Sequence, residues 1–301
     1  MKHKLIAAFL LVAFLFSSLV HSSDLDQGVE AYNQGYYKKA LRLLIPLAEQ
    51  GDADAQLHMG VLYSIGAGVS QDYVEAARWH RAAADQGHAQ AQYELSSIYG
   101  TGRGVPKNRQ EAIRWLHVSA DHGHAVAQQV LGNMYASGDG VIKNNAEAYR
   151  WYLASAEQGN SFAQFELALM YDEGRGVPQN YVEAVRWYRA AADQGDVDAQ
   201  LNLGVIYTLG RGVPQNHAES YRLFRLGAEQ GIKESQFNLG LAYAKGEGVT
   251  QNYVRAHMWL NISASQGHAE APRNRDIVAG WMTPVQIQEA QRLAQQWVNS
   301  R

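Results

Sequence analysis

A glycine recurs every 36 residues over most of this chain, and this period limits the possible folds more than any other feature. Seven such glycines enclose six consecutive repeats without insertion or deletion: Gly51, Gly87, Gly123, Gly159, Gly195, Gly231 and Gly267. Numbered from its glycine, every repeat has Gln at position 6, Tyr at position 13 and Ala at position 34. Periods of this length are typical of proteins in which similar units stack in a row. The sequence therefore predicts a repeat architecture and not one closed core.

Within each repeat, the pattern predicts two antiparallel helices. In the fourth repeat, Ala163, Leu167 and Tyr171 follow the helical period over positions 3 to 15. Gly at position 16 ends this helix, because glycine adopts the left-handed conformation without a Cβ clash. Asp or Asn at position 22, with Glu three residues later in five repeats, predicts that a capping box starts the second helix. Trp at position 29, present in five repeats, is interpreted as core between neighbouring repeats.

The two ends of the array differ from its interior, as stacked repeats require. Residues 24–50 predict a shorter helix pair that turns at Gly35, and residues 51–266 hold the six repeats. Residues 267–301 predict C-terminal capping helices, the last of which begins at Thr283 and Pro284 and covers the open face of the array. The prediction is an all-α chain of about sixteen helices.

Residues 1–22 have the pattern of a secretory signal. Lys2 and Lys4 precede an apolar run from Leu5 to Val20, which is shorter than the roughly 20 residues that a spanning helix needs. Cleavage after Ser22 predicts a periplasmic or secreted protein with no membrane span. Retention of this segment as an N-terminal anchor is the alternative.

Composition and motifs argue against several classes of function. The absence of cysteine excludes disulfides, thiolate zinc sites and cysteine nucleophiles, and a net charge of −3 argues against duplex nucleic acid as a partner. His122 and His124 are the best metal candidates, but no His-Glu-x-x-His spacing exists. The paired carboxylates Asp52 and Asp54 start a helix, where they suit a cap. We predict neither an enzyme nor a bound cofactor.

The fourth repeat resembles the Sel-1-like repeat, a relative of tetratricopeptide repeats. The resemblance rests on Ala163-Gln164, Leu167, Tyr171, Gly174-Arg175-Gly176-Val177-Pro178-Gln179-Asn180-Tyr181, Glu183-Ala184, Trp187-Tyr188, Ala191-Ala192 and Gln194-Gly195. It implies a right-handed alpha-alpha solenoid that acts as a scaffold or adaptor for other proteins. Bacterial members of this kind include envelope regulators and secreted factors that touch host proteins. Cysteine-rich relatives are linked to penicillin binding, and this chain has no cysteine.

A stripe of variable residues is the predicted partner-binding site. In a solenoid of helix pairs the first helices line the concave face, and positions 4, 8, 11 and 15 form one side of each first helix. We call these positions the stripe. It contains six acids and one Lys, which favours a protein or peptide partner with apolar anchors and basic flanks. The candidate residues are His58, Glu94, Asn133, Phe162, Glu166, Leu169, Asn202, Val205, Leu209 and Asn238.

Two other classes of function remain open from the sequence. A glycan or peptidoglycan binder could use the histidines, the asparagines and aromatic residues such as Tyr93. An envelope hydrolase is the third class, but no nucleophile-elbow serine supports it.

Overall fold

The computed structural model describes residues 23–300, so the predicted signal segment at residues 1–22 lies outside the described residues. The described part contains sixteen helices and no strand, which confirms the all-α class. The helices are α1 (residues 23–33), α2 (Tyr37–Glu49), α3 (Ala53–Ile65), α4 (Tyr73–Asp85), α5 (Ala89–Thr101), α6 (Arg109–Asp121), α7 (Ala125–Ser137), α8 (Asn145–Glu157), α9 (Ser161–Glu173), α10 (Tyr181–Asp193), α11 (Val197–Leu209), α12 (His217–Glu229), α13 (Lys233–Lys245), α14 (Tyr253–Ser265), α15 (Ala271–Ala279) and α16 (Pro284–Asn299).

The described chain divides into two compact blocks between Lys143 and Asn144. We call them the N-terminal block, described from residue 23 with α1 to α7, and the C-terminal block, described to residue 300 with α8 to α16. Within the N-terminal block each helix from α2 to α7 contacts the next one along the chain. The same holds from α8 to α15 in the C-terminal block, where α16 also contacts α14. Each block is therefore a stack of helix pairs, as the repeat predicts.

The helix bounds follow from caps that recur in each repeat. In the fourth repeat, the Asn160 side chain accepts a hydrogen bond from the backbone N–H of Ala163 and starts α9. Gly174 ends it in the left-handed conformation at φ 72°. The predicted bounds at positions 3 and 15 are confirmed for this helix.

The second helices begin at the predicted position, but the predicted capping box is wrong in its reciprocal half. The Asp72 side chain accepts from the N–H groups of Val74 and Glu75. Its own N–H donates to the carbonyl of Tyr63 and is not available to a glutamate side chain. Glu75 instead accepts from Arg78 at 2.7 Å, and the Arg78 guanidinium lies 4.3 Å from the centre of the Trp79 ring. The complete capping box occurs at α16, between Thr283 and Gln286.

The tryptophans at position 29 are buried, which confirms their interpretation as core. Their exposed fractions lie between 4% and 8% for Trp79, Trp115, Trp151, Trp187 and Trp259. At the C-terminal end, the Trp297 ring of α16 lies 5.4 Å from that of Trp259, and Ala290 and Ala294 are buried. This last helix therefore packs against the second helix of the sixth repeat.

The loop glycine at position 18 brings neighbouring repeats together. Gly104 has φ 78°, and a Cβ added there would collide with the backbone carbonyl of Tyr73 in the preceding repeat. Only glycine allows this approach at a positive φ. The loop of each repeat consequently packs on the start of the second helix before it.

A buried glutamine at position 6 links each repeat to the preceding one. The Gln164 amide donates to the carbonyl of Ala156 in the preceding repeat at 3.1 Å, and its Oε1 accepts from Gln194 at 2.8 Å. Gln200 makes the same two bonds with Ala192 and Gln230, at 3.2 Å each. Because a buried amide without partners is costly, these bonds fix how consecutive helices are placed.

Replacing Gln164 by Ala should lower the free energy of unfolding by about 1 to 3 kcal/mol, since the buried bond to Ala156 is lost together with its packing. Urea denaturation followed by circular dichroism measures this change. The matched control is Gln288→Ala on the exposed side of α16, which should change the free energy by less than about 0.5 kcal/mol. Equal effects of the two substitutions would show that the hydrogen bonds of the position-6 glutamine do not stabilise the folded protein.

Candidate partner-binding surface

In both blocks, the stripe lies on the solvent-accessible side of the first helices. In α9, Ala163, Gln164 and Leu167 are buried, whereas Phe162 at position 4 is 41% exposed. In α11, Leu209 at position 15 is 53% exposed. The other eight candidate residues are half-buried. Side chains at these positions can therefore contact another molecule without unfolding the helix pair.

Three candidate residues of the C-terminal block meet at one pocket. Val205 and Leu209 of α11 and Asn238 of α13 line a pocket of about 200 Å³, with Phe224 of α12 also among its walls. Lys245, the only basic residue of the stripe, lies in the same wall and is 3.7 Å from Glu247. The pocket therefore combines apolar walls with an amide and a charged pair, a composition suited to an anchoring side chain.

Two further candidates of the C-terminal block, Glu166 and Asn202, contact a charged or an aromatic side chain. Burial raises the pKa of the Glu166 carboxyl, and nearby Arg175 partly offsets this effect. The Arg175 guanidinium lies 4.0 Å from Glu166 and 2.5 Å from Glu173. Asn202 donates to the Tyr188 hydroxyl at 3.4 Å. Leu169 is half-buried and lies on α9, three residues after Glu166. The acid at position 8 is thus already associated with a cation of its own repeat.

The three candidates of the N-terminal block lie on three different helices. His58 of α3 stacks on the Tyr32 ring at 5.2 Å, and burial lowers the pKa of its imidazole. Burial raises the pKa of Glu94 on α5. Asn133 lies half-buried on α7.

A larger pocket in the N-terminal block was missed by the sequence reasoning. It has a volume of about 440 Å³ and lies between α5, α6 and α7. Ser97, Thr101 and Val130 of the stripe line it, but none of them is among the ten candidates. The signal that could have revealed it is Leu116 at position 30 of α6, where four of the other repeats carry His, Tyr or Phe.

The two histidines considered for metal binding form hydrogen bonds within the protein, and that of His124 caps α7. The Nδ1 atom of His124 accepts from the N–H of Ala127 at 3.2 Å, and His122 is 2.7 Å from the Gln92 Oε1. Asp52 accepts from the N–H of Ala55, which confirms its interpretation as a cap. Between residues 23 and 300, no group of three or more His, Asp or Glu side chains is placed to hold a metal ion. In that same range no helix is long and apolar enough to cross a membrane.

Stacked helix pairs with an exposed and variable stripe define a helical-repeat protein of the kind that carries interaction surfaces. The chain belongs to the Sel1 repeat family. The Sel1 repeat model matches six consecutive segments, residues 53–88, 89–124, 125–160, 161–196, 197–232 and 233–268. Sel1 repeats generally mediate protein–protein interactions and are typically non-catalytic.

The solved structures that are similar to this chain include two bacterial proteins. A Sel1 repeat protein from Oxalobacter formigenes is 32% identical, over 80% of this chain and 96% of that protein, with a TM-score of 0.63. A protective antigen present in uropathogenic Escherichia coli strains, which displays an SLR fold, is 30% identical. That match covers 93% of this chain and 68% of the antigen, with a TM-score of 0.58. No curated protein matches the sequence.

Acidification should destabilise this protein through His80 of α4. Burial, and secondarily the nearby His58 and His88, lower its pKa from 6.5 to about 4. The stability that depends on neutral His80 is fully present above pH 6.5 and is lost as the pH falls towards 4, by at most about 1.4 kcal/mol per pH unit. Urea midpoints measured from pH 7.5 to 4 should therefore fall less steeply in His80→Leu than in the wild type.

The sixth repeat carries leucine at the position that His80 occupies in the first repeat, which is why His80→Leu is the chosen substitution. The His80 ring packs on Gly60 so closely that a Cβ there would lie 2.6 Å from it, and Leu260 packs on Gly240 in the same way. Leucine therefore fits this position next to a glycine. Parallel pH profiles of the two proteins would contradict a neutral, buried imidazole at His80.

Proposed function

We propose that this protein is a non-enzymatic scaffold that binds a partner protein or peptide on the stripe of its first helices. The observation that carries this proposal is the exposure of large apolar side chains at stripe positions, with Phe162 41% and Leu209 53% exposed. Buried apolar anchors provide most of the affinity at protein interfaces, and charged residues around them provide steering. The pocket at Val205, Leu209 and Asn238 offers such an anchor a place to bind.

We infer further that the protein acts in the bacterial cell envelope or outside the cell. The positively charged and apolar segment at residues 1–22 supports export. The similarity to a protective antigen of uropathogenic Escherichia coli supports the same placement. Contact with host proteins is one form that such an exported scaffold can take.

Crosslinking in living cells identifies the partner and tests the surface together. A photo-reactive residue at position 162 or 209 should form an adduct with the same partner protein. The matched control is position 182, where Val182 is 61% exposed but lies on a second helix, α10. An equal yield of that adduct at position 182 would place the interface elsewhere.

Affinity measurements with the identified partner then test the anchors. The double substitution Phe162→Ala and Leu209→Ala should raise the Kd at least about tenfold, which corresponds to about 1.4 kcal/mol. The control Val182→Ala should leave the Kd unchanged, and circular dichroism should show equal helicity in all three proteins. Unchanged binding by the double variant would refute this surface. Sedimentation with purified cell wall, if abolished by the double variant, would instead favour a glycan ligand.

A further inference from the structure

The pocket between α5, α6 and α7 is more than twice as large as the pocket at Val205 and Leu209, and three positions of the second repeat differ from the fourth repeat around it. Its floor contains Ala112 and Leu116, which are 9% and 4% exposed, and Ser96, which is 8% exposed. Ile113 and Met134 form apolar walls, and charged side chains stand at the exposed rim. The volume of about 440 Å³ lies within the range of roughly 300 to 1,000 Å³ that is usual for ligand pockets.

Position 30 is the first difference, because in the fourth repeat its side chain fills the equivalent space. In the fourth repeat this residue is Tyr188, which is fully buried, and its hydroxyl donates to Asp172 at 3.3 Å and accepts from Asn202. In the second repeat the residue is Leu116, which lacks the ring. The pocket therefore lies where another repeat places an aromatic side chain of its own.

Position 14 is the second difference. The fourth repeat has Asp172 there, whereas the second has Gly100, within α5. A glycine inside a helix makes that helix less stable than alanine would. Sterics do not require it, since an added Cβ would meet the Ala112 Cβ at an ordinary contact distance of 3.8 Å. The glycine thus reduces helix stability and leaves the space open.

Position 21 is the third difference, and it changes the charge at the rim. Four repeats have a glutamine there whose amide donates to the carbonyl at position 14, as Gln179 does to Asp172 at 2.7 Å. The second repeat has Lys107, and no ion pair or hydrogen bond of its ammonium group occurs within residues 23–300. Arg109 and Asp139, 2.5 Å apart, neutralise each other at the same rim. Lys107 therefore leaves one uncompensated positive charge beside an apolar cavity.

We propose that this pocket binds an aromatic side chain of a partner protein in which the next residue is Asp or Glu. The aromatic ring would take the place that the Tyr188 ring takes in the fourth repeat, and the adjacent carboxylate would pair with the Lys107 ammonium group. This charge preference is opposite to that of the acidic stripe as a whole. The inference rests on the proposed function in one respect, namely that the ligand is a protein segment.

Blocked tetrapeptides test this pocket directly and do not require an identified partner. The probes are acetyl-Gly-Phe-Asp-Gly-amide, its Phe-Lys analogue and its Ala-Asp analogue, titrated into the deuterated, ¹⁵N-labelled full chain. The Phe-Asp peptide should cause saturable shifts of the Gly100 and Ile113 amide signals at millimolar concentration. The other two peptides should bind at least about threefold more weakly. Absence of saturable shifts, or equal shifts with the Ala-Asp peptide, would overturn the proposal.

Two variants separate binding in the pocket from binding elsewhere. The double substitution Gly100→Asp and Leu116→Tyr rebuilds the filled arrangement of the fourth repeat and should abolish the shifts. Lys107→Glu changes an exposed side chain and should reverse the preference, so that the Phe-Lys peptide binds more tightly than the Phe-Asp peptide. If the double variant fails to fold, the Lys107 variant alone decides, and an unchanged preference overturns the proposal.

The two proposals fail in different measurements. Crosslinks at positions 162 and 209 concern the C-terminal block, whereas the peptide shifts concern amides of the N-terminal block. A failure of the crosslinking experiment would leave the peptide result intact, and the reverse holds as well.

Discussion

The hydrogen bonds of the position-6 glutamine are the constraint on which the stacking depends. One buried amide must satisfy both its donor and its acceptor, and it does so with a carbonyl of the preceding repeat and a side chain of its own repeat. Apolar packing alone tolerates small shifts between helices, whereas a buried amide loses its partners if they move by an ångström or two. The buried tryptophans at position 29 add apolar area to the same core. The glutamines thus fix the placement of the helices, and the tryptophans supply much of the buried surface.

Because every repeat has the position-6 glutamine, other positions can differ among repeats without a change in the stacking. Gly100, Lys107 and Leu116 depart together from the side chains found in the fourth repeat, yet α5 and α6 keep the bounds that their caps specify. The fourth repeat serves as an internal reference, because the same backbone there holds the buried Tyr188 side chain in the equivalent space. A substitution in one repeat is therefore more informative when several substituted positions line the same pocket.

The sequence predicted the features that depend on local signals. The bounds of α9, the cap at Asp52 and the burial of Trp187 follow from spacing within one repeat, and all are confirmed. The role of Glu75 was predicted wrongly, since the carbonyl of Tyr63 occupies the Asp72 N–H from another turn of the chain. The 440 Å³ pocket was not predicted because three helices form it. The choice of ten stripe residues and the export signal stay predictions.

The bond from the Asp72 N–H to the Tyr63 carbonyl also favours a constant length of the connection between the two helices of a repeat. It joins the last turn of one helix to the cap of the next, and Asn108, Asn180, Asn216 and Asn252 repeat it with the tyrosine nine residues before each of them. An inserted residue in this connection would separate donor from acceptor. The six repeats of this chain therefore differ in their surface side chains and share a backbone of constant length.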